Sequence, residues 1–118
     1  MNKMSLNKLK LQDLEVLNEA LELYGAYLFF FIQSEASQAL YIYKSICVEL
    51  QYMIANKLKV RQIPENSLLK LEIHQLYIFQ NALQHLISRS KHDLTRAVAR
   101  RLLERINRLV PAIPQQQE

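Results

Sequence analysis

A chain of 118 residues with one glycine, Gly25, and three prolines, Pro64, Pro111 and Pro114, has few places to turn. All-β folds and glycine-rich phosphate loops need many more turn residues, so a few long helices with short connections are expected. Half of the residues are apolar or aromatic, enough to build a core for a single domain. The most apolar stretch, residues 23–32, reads LYGAYLFFFI. It is about half as long as the ~20 residues a membrane-spanning helix needs. It is therefore read as core or interface, and no membrane insertion is expected. Lys3, Lys8 and Lys10 are followed by Asp13, Glu15 and Glu19 rather than by an apolar run, so no signal peptide is expected. The single cysteine, Cys47, excludes an internal disulfide framework and fits a reducing, cytoplasmic compartment.

Apolar periodicity divides the chain into four helical segments. In residues 12–33 two interlocked rows run along one helix: Leu14, Leu17, Leu21, Tyr24, Leu28 and Phe31, beside Val16, Ala20, Leu23, Tyr27 and Phe30. The remaining strip begins with Glu15, Glu19 and Glu22 and ends with Ala26 and Phe29, so this helix starts amphipathic and finishes apolar nearly all round. The second segment, residues 35–59, carries a seam of Ala36, Ala39, Tyr43, Ile46, Leu50 and Met53. The change of phase places a turn near Ser34, with Ser34 as N-cap; one continuous helix is the alternative. Residues 57–64, KLKVRQIP, form the linker, with Pro64 at the first position of the third helix. That helix, residues 65–88, presents Leu69, Ile73, Leu76, Leu83 and Ile87. The fourth, residues 91–110, presents Leu94, Val98, Leu102, Ile106 and Leu109, with Ser90 and Asp93 in capping-box spacing, and Pro111 ends it. The expected fold is all-α, an antiparallel four-helix bundle of two similar hairpins over residues 1–110, with residues 111–118 as a flexible tail. Leu21, Tyr24, Leu28, Ile46, Leu50, Leu76, Leu83, Val98 and Ile106 are its expected core. A faint echo links NKLKLQDLEVLNEAL at Asn7 with NKLKVRQIPENSLLKLEIHQL at Asn56.

Charge is unevenly spread. Between Arg89 and Val110 there are seven cations and two anions; between Leu11 and Asn56 there are one cation and six anions. Arg96, Arg100, Arg101, Arg105 and Arg108 share the face opposite the apolar line of the fourth helix. Such a face can grip nucleic-acid phosphates without reading sequence. Equally, it can be a solvated surface paired with Glu15, Glu19 and Glu22. Nothing points to catalysis, a cofactor or a metal. His74 and His85 lie three helical turns apart, about 16 Å, too far to share an ion. Cys47 falls on a core face, where a thiol is inert.

Two aromatic features stand apart from the core pattern. Tyr41, Ser45, Val48 and Tyr52 form a row on the back of the second helix, and tyrosine offers large contact area at low entropic cost. Phe29, in line with the acidic strip, lies outside the bundle core, with Phe30 beside it. Phe29, Phe30, Tyr41, Val48 and Tyr52 are the candidate protein interface. The expected function is that of a small non-enzymatic interaction module, an adaptor or regulator, self-associating as a homodimer or binding another protein. The alternative is a nucleic-acid-binding accessory subunit that uses the five arginines.

Overall fold

The computed structural model describes residues 3–34, 37–59 and 67–110. They form two strands and four helices: β1 (Met4–Leu9), α1 (Leu11–Ser34), α2 (Gln38–Leu58), β2 (Ser67–Leu71), α3 (Ile73–Arg89) and α4 (Asp93–Leu109). The chain is mostly helical, as the scarcity of turn residues requires, but it is not all-α. β1 and β2 pair antiparallel, with Met4 opposite Leu71 and Leu6 opposite Leu69. Alternation explains the second strand. Ser67, Leu69 and Leu71 turn inward while Lys70 faces solvent, the two-residue period of a half-buried strand. The expected third helix therefore loses its first two turns and starts at Ile73. In β1 the pairing slips between Leu6 and Leu9, where Lys8 takes a positive φ of 54°. This is a bulge with a non-glycine residue in the left-handed region.

α1 and α2 are two helices, not one continuous helix. Ser34 is the last residue of α1, and its hydroxyl donates back to the Phe31 carbonyl at 3.2 Å. The N-cap of α2 is instead Ser37, in extended conformation. At α4 the expected Ser90–Asp93 box is replaced by an N-cap at His92, while Ser90 is the C-cap of α3. Pro64, Ala36 and the tail at residues 111–118 lie outside the described residues.

α1 and α3 pack against each other at the centre. α2 packs on α1 and α4 on α3. The sheet sits where α1 and α3 begin and α2 and α4 end, and Leu6, Leu9, Leu69 and Leu71 join the helical core. Of the expected core, Leu21, Tyr24, Leu28, Leu50, Leu76, Leu83, Val98 and Ile106 are buried. Ile46 is only half-buried, and Ala39 and Tyr43 are exposed. The inward line of α2 is Cys47, Leu50 and Ile54, and nothing in its first nine residues is buried.

The chain is built from two strand–helix–helix units. Ser5-Leu6-Asn7-Lys8-Leu9 corresponds to Ser67-Leu68-Leu69-Lys70-Leu71, and α1 and α3 start at the same interval, at Leu11 and Ile73. In both units the residue before the helix is tied to its third residue. The Lys10 amide donates to the Asp13 carboxylate at 3.0 Å, and the Glu72 amide to the Gln75 side-chain oxygen at 2.8 Å. Asp13 and Gln75 are both buried. Asp13 accepts from Arg101 on α4, and Gln75 donates to Glu49 on α2 at 2.7 Å, so each unit's first helix grips the other unit's second. Glu49 precedes buried Leu50 as Arg101 precedes buried Leu102, and Ile54 and Ile106 follow in step. This correspondence joins Ser5 to Ser67 and is not the echo between Asn7 and Asn56.

Candidate interaction surface

The two units differ chiefly in hairpin length. α1 has 24 residues and α2 has 21, whereas α3 and α4 have 17 each. Since α1 and α3 start at equivalent positions, the extra length of α1 projects past the end of α3, carrying the start of α2 with it. At 1.5 Å per residue α1 is about 36 Å long and α3 about 26 Å. The overhang contains the FFF stretch. No helix of the second unit is long enough to cover it.

This places the expected interface residues in solvent. Phe30 is 66% exposed and Tyr52 70%; Phe29, Tyr41 and Val48 are also exposed. They fall into two groups on one hairpin. Phe29, Phe30 and Tyr41 belong to the overhang. Val48 and Tyr52 lie further along α2, where with Asn18, Gln51 and Ala55 they line a shallow groove of about 330 Å³. Two further exposed side chains of the overhang, Ile42 and Tyr43, were not foreseen as surface. Tyr43 fitted the seam by spacing alone, and only the shortness of α3 exposes it. A second groove of about 350 Å³ opens between Tyr27, Leu28, Phe31, Ser37 and Leu40 at the base of the overhang. Among the described residues the overhang bears no charge after Glu22 until Lys44, whose ammonium donates to the Gly25 carbonyl at 3.3 Å.

Beneath the overhang, His85 of α3 lies against the rings of Tyr27 and Tyr24, at centroid distances of 4.5 and 6.0 Å. Arg89 stands over Tyr27 at 5.8 Å, within cation–π range. Neither imidazole nitrogen of His85 has a hydrogen-bond partner among the described residues. Burial, followed by the Arg89 charge, lowers its pKa and keeps it neutral. Burial raises the pKa of Tyr24, against a hydrogen bond to Asn81 that lowers it.

The arginines of α4 do not act as one group. Arg101 pairs with Asp13, Arg105 donates to the Asn7 backbone carbonyl, and Arg108 pairs with Glu104 on its own helix. None of these partners is Glu15, Glu19 or Glu22. Arg100 is exposed, and Arg96 is half-buried with its Nε unpartnered among the described residues.

The thiol of Cys47 is fully buried, and burial pushes its pKa up to about 11, which disfavours the nucleophilic thiolate. His74 and His92 are exposed on α3 and ahead of α4. Among the described residues no three His, Cys, Asp or Glu side chains gather as metal ligands, and no helix is long and apolar enough to cross a membrane. No family model matches the chain, and no curated protein or solved structure matches it.

Proposed function

We propose that this chain is a small non-enzymatic interaction module, an adaptor or regulator, that self-associates through the overhanging end of the α1–α2 hairpin. The supporting observation is the uncharged, aromatic surface around Phe29, Phe30, Tyr41 and Ile42, which the shorter second hairpin leaves uncovered. Contiguous apolar surface of this kind marks interaction sites. Among its described residues the patch carries no charge, so two copies related by a twofold axis would bury no unpaired charge from them. Val48 and Tyr52 extend the contact along α2. The four helices act as a bundle of two hairpins that holds this surface rigid. With a lone buried thiol, the module suits a reducing, cytoplasmic setting.

Nucleic-acid binding has less support. Phosphate gripping needs free guanidinium groups, and Arg101, Arg105 and Arg108 are all engaged within the chain. Sedimentation at tens of micromolar tests the proposal. The wild type is expected to run as a dimer and Phe29→Glu as a monomer, while a monomeric wild type would exclude the proposed role for this surface.

A further inference from the structure

Two units built alike could each pair with its own kind from a second copy of the chain. The apolar contacts between them do not discriminate. Buried leucines line the core from both strands, Leu6 and Leu9 on one side and Leu69 and Leu71 on the other. Leu50 and Ile54 of α2 are matched by Leu102 and Ile106 of α4. Antiparallel backbone pairing between β1 and β2 is made by main-chain groups that every residue carries, so it does not discriminate either.

The polar pairs do differ. Asp13 and Gln75 hold equivalent positions, third in α1 and third in α3, and are 1% and 4% exposed. Each gives one oxygen to the amide ahead of its helix, Asp13 to Lys10 and Gln75 to Glu72. Asp13 then has its other oxygen, Oδ1, which accepts from the Arg101 guanidinium. At the twin site the Glu72 amide can only donate, so it fixes the Gln75 oxygen and leaves the Gln75 NH2 group to donate to Glu49. One site is an acceptor that needs a donor, and the other is a donor that needs an acceptor. Pairing like with like reverses the match. Two first units would set the Asp13 carboxylate against the Glu49 carboxylate. Two second units would set the Gln75 NH2 group against the Arg101 guanidinium. Arg101 and Glu49 are exposed and can turn to water. Asp13 and Gln75 cannot, and a buried polar group that loses its partner is costly.

We infer that Asp13–Arg101 and Gln75–Glu49 are the specificity-determining contacts of the interface between the units. The partner that each unit fits is its unlike twin, not a second copy of itself. The leucines and the strands supply adhesion that any two units share, and the polar pairs penalise the wrong combination. This recognition is separate from the overhang and does not depend on self-association there.

Both wrong combinations can be built inside the full chain by one substitution each. Arg101→Glu sets a carboxylate opposite Asp13, as two first units would. Glu49→Arg sets a guanidinium opposite Gln75, as two second units would. Each mismatch is corrected by the residue that the twin site already holds. Asp13→Gln added to Arg101→Glu copies the Gln75–Glu49 pair, and Gln75→Asp added to Glu49→Arg copies the Asp13–Arg101 pair. Urea unfolding midpoints are compared for the single and double variants, with Arg100→Glu as the control for reversing an exposed charge on α4. Arg101→Glu is expected to lower the midpoint more than Arg100→Glu does, and Glu49→Arg is expected to lower it as well. Each double variant is expected to regain about half or more of the loss, although Asp13→Gln or Gln75→Asp alone lowers the midpoint too. Double variants whose losses are the sum of the single ones overturn the proposal. So does a loss for Arg101→Glu no larger than that for Arg100→Glu.

Discussion

Asp13 is 1% exposed and is the one buried carboxylate among the described residues. It accepts from two donors, the Lys10 amide and the Arg101 guanidinium. Asp13→Ala removes both contacts at once and is expected to cost about 2–3 kcal/mol in urea unfolding. Arg101 is itself 51% exposed, so solvent screens the pair from one side, and Arg101→Gln is expected to cost only about 1 kcal/mol. A loss for Asp13→Ala no larger than for exposed Glu15→Ala would contradict this account. Asp13 was read from the sequence only as one of the acids after the amino-terminal lysines. Spacing does not reveal burial when the partner is 88 residues away.

His85 gives the protein a pH dependence of definite sign. In the unfolded chain it titrates near its ordinary value of about 6.5. In the fold its pKa is lowered, so below that value the unfolded chain takes up a proton that the folded chain resists. Its contribution is fully present above about pH 6.5 and is lost as pH falls through the folded pKa. Between about pH 7.5 and 5 the wild type is expected to lose more stability than His85→Asn. Parallel losses would show that the ring beneath Tyr27 is freely solvated. Gly25 offers a test in the other direction. A Cβ there would meet only the Lys44 ammonium, at 3.1 Å, the end of a flexible side chain. Gly25→Ala is therefore expected to be neutral or to stabilise α1 by up to ~1 kcal/mol. A loss above ~1 kcal/mol would mean that the Lys44 contact with the Gly25 carbonyl matters more than helix propensity.

At the scale of elements, α2 divides into an anchored half and a free half. Leu50 is fully buried against α1, and Leu50→Ala is expected to cost about 2–5 kcal/mol. Ile42 is 58% exposed, and Ile42→Ser is expected to leave stability within about 0.5 kcal/mol. Similar costs for the two would erase the division. The four helices were legible in the sequence because rows such as Leu14, Leu17, Leu21 and Tyr24 have no other reading. The strands were not. SLLKL is too short and too leucine-rich for its period of two to stand out from a helical period. Leucine, lysine and serine also carry little strand preference of their own. Pairing with β1 fixes β2 as a strand, and such a long-range contact leaves no local mark. This one error hid the overhang. A third helix starting at residue 65 would have matched α1 in length, and the hairpins would have covered each other. The exposure of Phe29 and Phe30 was nonetheless anticipated, because an apolar strip continuing an acidic one has nowhere to go inside a small bundle.

At the scale of the whole molecule, the chain resembles two copies of one strand–helix–helix unit paired about the sheet, and only the first copy carries the aromatic extension. Counting from the paired leucines, Leu50 and Leu102, the first hairpin is longer by ten residues. Among the described residues of 28–40 only Leu28 is buried, so nearly all of the core lies outside the segment. Replacing residues 28–40 with the Ser90-Lys91-His92 turn of the second hairpin should therefore give a chain that still folds. Sedimentation velocity of this shortened chain beside the wild type, with helical content checked on the same samples, tests self-association most directly. The expected result is a dimer for the wild type and a folded monomer for the shortened chain. A shortened chain that remains dimeric would place the interface elsewhere and contradict the role assigned to the overhang.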